Sequence, residues 1–136
     1  EGAFAVSVKV ALPLRTVGMI AFLYDSRGVA APADYPALWQ SEAYRGGRLI
    51  LANRTYLAFD VAAAPFEALR IGVRALWGLG DGSAAVHVHA GIAFADEAWI
   101  GLSALVTMGA GAVGGMANSE FGSAPYMYTL DLRLHF

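Results

Sequence analysis

The clearest pattern in the chain is the alternation of residues 126–136, Tyr-Met-Tyr-Thr-Leu-Asp-Leu-Arg-Leu-His-Phe. Tyr126, Tyr128, Leu130, Leu132, Leu134 and Phe136 are apolar, while Met127, Thr129, Asp131, Arg133 and His135 include every polar and charged group. A strand turns successive side chains to opposite faces, so one face of this strand is apolar and the other wet. The same period runs through most of the chain. Phe4, Val6, Val8, Val10 and Leu12 alternate with Ala5, Ser7, Lys9 and Ala11, and Pro13 turns the chain. Residues 16–25 read as a second strand, apolar on both faces, and 26–35, with a proline and a glycine, as a loop. Leu38 to Arg45 is weakly patterned and leads into Gly46-Gly47, a hairpin signal. Leu49, Leu51, Leu57, Phe59 and Val61 then share a face opposed by Arg48, Arg54, Tyr56 and Asp60, a long strand closed by Ala64-Pro65.

The following hairpin tests the reading internally. Leu69, Ile71, Val73, Ala75, Trp77 and Leu79 oppose Arg70, Gly72, Arg74 and Gly78; beyond Asp81-Gly82, Val86, Val88, Ala90, Ile92 and Phe94 oppose His87, His89, Gly91 and Ala93. An Asp-Gly pair favours a type I′ turn, and with Gly80 opposite Ser83 it pairs Trp77 with Val86, Ile71 with Ile92 and Arg74 with His89. Apolar then meets apolar and polar meets polar. After a turn at Asp96-Glu97-Ala98, Ile100, Leu102, Ala104, Val106, Met108 and Ala110 form a sixth apolar row, and Gly114 to Ser123 is a loop before the last strand.

This strand pattern, with its aromatic-ended last strand, resembles the small bacterial outer-membrane β-barrels of the OmpA, OmpX and OmpW types. The resemblance implies an all-β fold, an antiparallel transmembrane barrel in one domain over residues 1–136, and residence in the Gram-negative outer membrane among lipid and lipopolysaccharide. It also implies recognition of the C-terminal strand by the barrel-assembly machinery, and it transfers no functional residue. Eight strands are expected, which requires Leu38 to Arg45 as the eighth. If that stretch is loop, a strand must come from a neighbour or from residues outside this sequence. With eight strands the outer turns are residues 13–15, 46–47, 81–82 and 114–123. Trp77 and Tyr126 then lie near the outer membrane interface, and Phe59, Phe94 and Phe136 near the periplasmic one. A soluble lipocalin-like barrel would place the apolar set inside instead.

Composition agrees with a barrel. Of the 136 residues, 57% are AVILMFWYC and the mean hydropathy is +0.51, yet no run approaches the roughly twenty apolar residues of a spanning helix. Cysteine is absent, which removes disulfide and thiol chemistry. Lys9 is the only lysine. No signal peptide stands at Glu1, so an exported protein would be represented in mature form. A net charge of −2 gives no case for nucleic acid.

The wet faces carry Lys9, Arg48, Arg54, Asp60, Arg70, Arg74, His87, His89, Asp131 and Arg133, a charge network expected to line the lumen. It reads best as satisfied packing, with Asp60 and Asp131 paired to arginines and the rest met by backbone, water or rim carboxylates such as Glu67, Glu97 or Glu120. The alternative is a narrow conduit for small solutes or anions. His87 and His89, two apart and roughly 7 Å from each other on one face, lack the further donors of a metal site, so no metal and no cofactor is expected. A lipid A deacylase of the PagL type carries His-x-Ser on one strand; none occurs here, and Ser83 precedes His87 by four. The expectation is a non-enzymatic structural or accessory membrane protein, able to join other membrane proteins in a complex.

Overall fold

A computed structural model describes residues 2–95, 98–112, 117–123 and 126–134. Seven strands form one antiparallel sheet in chain order: β1 (Ala3–Leu12), β2 (Thr16–Asp25), β3 (Thr55–Phe66), β4 (Leu69–Gly78), β5 (Ala84–Ala95), β6 (Ala98–Met108) and β7 (Met127–Leu134). The all-β, antiparallel expectation is met. Among the described residues the sheet is not closed: β1 pairs only with β2, and β7 only with β6.

The expected eighth strand is not there. Leu38 to Arg45 falls in two short helices, α1 (Tyr35–Gln40) and α2 (Glu42–Arg45), preceded by a 3-10 turn at Pro32–Asp34. The local chemistry explains the difference. Pro36 sits in the first turn of α1, where its fixed φ suits a helix start, and Ser41 caps α2 by accepting from the Tyr44 N–H. Tyr35, Leu38 and Trp39 recur at helical spacing and pack with Val29, Leu49 and Ala52 into a small apolar core. Tyr35 and Trp39 stack at 5.1 Å, and Tyr44 meets Trp39 edge-on at 4.6 Å. Leu49 and Leu51 therefore belong to the insert between β2 and β3, residues 26–54, and not to β3, which begins only at Thr55.

Strand parity sorts the turns. The insert, residues 79–83 and the β6–β7 connection lie at one end of the sheet, called here the insert end. The β1–β2 turn, residues 67–68 and the Ala95–Ala98 pair that ends β5 and begins β6 lie at the other, the turn end. Residues 13–15 are thus opposite to 81–82, where eight strands would have set them together.

One face of the sheet is apolar across every strand. A single row runs Val10–Gly18–Val61–Val73–Val88–Ala104–Tyr128, and its neighbour one pair along runs Val8–Ile20–Phe59–Ala75–Val86–Val106. These side chains are not covered: Val8 is 64% exposed, Leu102 61% and Leu130 71%. Among the described residues the buried apolar cluster is the one in the insert. The sheet is also staggered. The row Lys9–Met19–Asp60–Arg74–His87–Leu105–Met127 starts at the seventh residue of β1 and ends at the first of β7. Such a staircase is the register that tilted, curling sheets adopt.

No helix among the described residues is long and apolar enough to cross a membrane.

Candidate functional site

The second face of the sheet carries the polar residues the sequence singled out. Lys9, Asp60, Arg70, Arg74, His87, His89, Asp131 and Arg133 all occupy it. Arg54 does not: it precedes β3, and its guanidinium Nε donates to the Gly28 carbonyl at 3.1 Å within the insert. Arg48 likewise lies in the insert, paired with Glu42 at 2.9 Å where both are exposed.

The β4–β5 register shifts by two residues from the expected one. Gly82 has φ +69 but Asp81 lacks the positive φ a type I′ turn demands, so four residues, 79–82, make the loop and the Gly78 N–H donates to the Ser83 carbonyl at 2.8 Å. An even shift keeps each face intact. Arg74 therefore stands opposite His87, Trp77 opposite Ala84, and His89 opposite Gly72.

The polar face resolves into compact units. Arg74 pairs with Asp60 at 2.8 Å across β3 and β4, and Arg133 with Asp131 at 2.7 Å along β7. His87 and His89 stack with ring centroids 5.8 Å apart. Three glycines make room for rings: a Cβ at Gly72 would collide with the His89 imidazole, and one at Gly91 or Gly101 with the Trp99 indole. Trp99 thus lies along the sheet, and Arg133 stacks on it at 5.2 Å. Arg74, His87, His89, Ser103, Trp99 and Arg133 border an open cleft of about 320 Å³. The arrangement neutralises two of the arginines against carboxylates, and it gathers no group of three or more metal ligands among the described residues. Ser83, buried in the insert-end turn, is four residues or roughly 13 Å along β5 from His87, beyond the reach of a nucleophile–base pair.

The expected rim carboxylates behave differently from one another. Glu67 meets Arg15 at 3.8 Å where both are largely exposed, an interaction of little energy. Glu97 lies outside the described residues. Glu120 centres the network that sequence reasoning missed. It accepts from the backbone N–H groups of Ala52 (2.9 Å) and Asn53 (3.2 Å), the Asn53 amide (3.0 Å) and the Tyr56 hydroxyl. Asp81 is its counterpart, accepting from the Tyr35 hydroxyl (2.5 Å) and the N–H groups of Glu120 and Ser83 (2.8 Å each). Asn53 donates to Tyr35 at 2.9 Å and joins the two halves. Gly78 and Gly80 leave the space that the Asn53 side chain fills.

This network ties the insert, the β4–β5 turn and the β6–β7 loop into one cap over the insert end. Burial raises the Asp81 carboxyl, but the hydrogen bonds from Tyr35, Glu120 and Ser83 outweigh it and hold the group below its ordinary value. Burial, reinforced by Asp81, pushes the Tyr35 phenol well above its ordinary value. Carboxylates saturated with donors are suited to holding loops together and not to proton transfer.

Trp77 and Tyr126 lie at the insert end and Phe94 towards the turn end. Phe59, expected at the same end as Phe94, is the fifth residue of β3, between Ile20 and Ala75, nearer the insert end. His135 and Phe136 lie outside the described residues.

No family model matches the chain, and neither a curated protein nor a solved structure shows significant similarity to it.

Proposed function

We propose that this chain is a small integral β-barrel component of the bacterial outer membrane, non-enzymatic, with a structural or accessory role in a membrane complex. The observation that carries the reading is the uncovered apolar face running without interruption across seven strands. A contiguous apolar surface of that breadth is foreign to soluble monomers, whereas lipid covers it without cost. The opposite face supports the same orientation: its small residues, glycine-seated rings and internally paired charges suit a narrow lumen. The ion pairs Arg74–Asp60 and Arg133–Asp131 weigh against an anion conduit, because the guanidiniums nearest the cleft are already matched. The stapled loops at the insert end form a compact cap, as an accessory subunit presents to a neighbour.

The test is extraction from native membranes. An integral barrel resists carbonate washing, needs detergent, and migrates differently on gels before and after boiling. Release by carbonate without heat-modifiable mobility would refute the membrane reading. Unchanged lipid A mass on overexpression, and no conductance in planar bilayers, are expected of a structural subunit.

A further inference from the structure

Resting on the barrel reading, we propose that a single further strand, contributed by a partner polypeptide, bridges β1 and β7 and brings a carboxylate to Lys9.

The outer edges of β1 and β7 each present a row of backbone N–H and C=O groups with no strand beside them among the described residues. Lipid offers these groups no hydrogen bonds, so within a membrane the edges must be paired. Direction decides what can pair them. With an odd number of antiparallel strands, β1 and β7 both run from the insert end to the turn end. One strand running the opposite way is antiparallel to both. A second copy in the same orientation can offer only parallel junctions, and an inverted copy would move the insert to the other side of the membrane. The chain itself has no strand to spare among the described residues. The stretch 38–45 is helical, and the loop before β7 is held down by Glu120 and Asp81.

The edges also specify the strand's chemistry. Val8 and Val10 on β1, and Leu130 and Leu132 on β7, require apolar residues at alternate positions on the lipid side. On the other side, Lys9 makes no ion pair among the described residues; the acid in its row, Asp60, lies two strands away and is engaged by Arg74. The incoming strand therefore carries Asp or Glu level with Lys9, since opposite charges on neighbouring strands attract.

The absence of cysteine makes a clean test. Three variants of the full chain, Ala5→Cys and Ala11→Cys on β1 and Thr129→Cys on β7, are labelled with a short photoreactive maleimide in native membranes, irradiated and mapped by peptide mass spectrometry. All three should label one segment of one partner, and the two β1 labels should land on it in reverse order. A carbodiimide should join Lys9 to a carboxylate in that segment, and Lys9→Ala should lose the link. Links between β1 and β7 of one chain, links to a segment of the same chain outside residues 1–136, links to a second copy, labels in parallel order, or no link from a heat-modifiable chain would each overturn the closure while leaving the barrel standing. A chain that washes off with carbonate removes both.

Discussion

Tyr56, the second residue of β3, gives its hydroxyl hydrogen to the carboxylate of Glu120, 64 residues further along the chain. The same carboxylate closes the Ala52 and Asn53 amides, so one side chain joins the insert to the loop before β7. Removing it leaves several buried donors without a partner. Glu120→Ala should lower the stability of the cap by about 2–3 kcal/mol, seen as faster proteolysis within residues 26–54 while the sheet keeps its strand content by circular dichroism. Equal resistance to protease would show the network to be dispensable.

The cap should also respond to pH from both sides. Asp81 is held below its ordinary pKa, so its contribution is present above about pH 4, where the unfolded group is ionised, and is lost as the pH falls through the folded value. Tyr35 is raised, so its contribution is present below about pH 10 and declines above it, where the unfolded phenol ionises and the folded one does not. Protease sensitivity of the insert should be flat through neutral pH and rise at both extremes. Asp81→Asn should reduce the acid rise and Tyr35→Phe the alkaline one.

The β1–β2 turn stores strain. Leu14 (φ 58°) and Arg15 (φ 51°) both adopt left-handed backbone in the type I′ manner, which suits Asn-Gly and costs an L side chain roughly 1 kcal/mol each. Leu14→Asn with Arg15→Gly should raise the thermal transition, by the order of 1–2 kcal/mol in stability. An unchanged or lowered midpoint would mean that Arg15 contributes more through Glu67 than a pair 3.8 Å apart and exposed to solvent suggests.

How much of this was readable from the chain divides along range of interaction. The strands β1, β4, β5, β6 and β7, and the polar set on one face apart from Arg48 and Arg54, follow from period-two alternation, which is local; β2, apolar on both faces, shows only as an apolar run between turn signals. The β4–β5 register was missed because Asp81 is recruited by Tyr35 and Glu120, partners 46 and 39 residues away, so its own turn preference gives way. The helices were legible in principle, from Pro36 and from the Tyr35, Leu38, Trp39 spacing, but six- and four-residue helices give too little pattern to stand out. Nothing local marks Asn53 or Glu120, whose roles exist only once the insert has folded over the sheet end.

Trp99 depends on the glycines beneath it. Gly91→Val would drive the added side chain into the indole, displace it, and undo the stacking of Arg133. A loss on the order of 2 kcal/mol follows from overpacking, with a red shift in tryptophan emission as the ring leaves its seat. Gly2→Val, where an added Cβ meets nothing within 4 Å, is the control expected to change neither.

The decisive contrast between lipid and water lies in adjacent residues of β6. Leu102 is mid-strand on the apolar face and Ser103 is its neighbour on the polar one. If the apolar face meets hydrocarbon, Leu102→Arg places a guanidinium near the bilayer midplane and should cost about 2–4 kcal/mol, with reduced membrane assembly and a lower heat-modification temperature. Ser103→Arg adds the same charge towards the lumen and should cost less, its main effect falling on the neighbouring His89 and Thr129. In water the order reverses: Leu102, already 61% exposed, would accept arginine freely, and the more enclosed Ser103 would not. Measuring the two variants side by side therefore reads the sign of the solvent on each face.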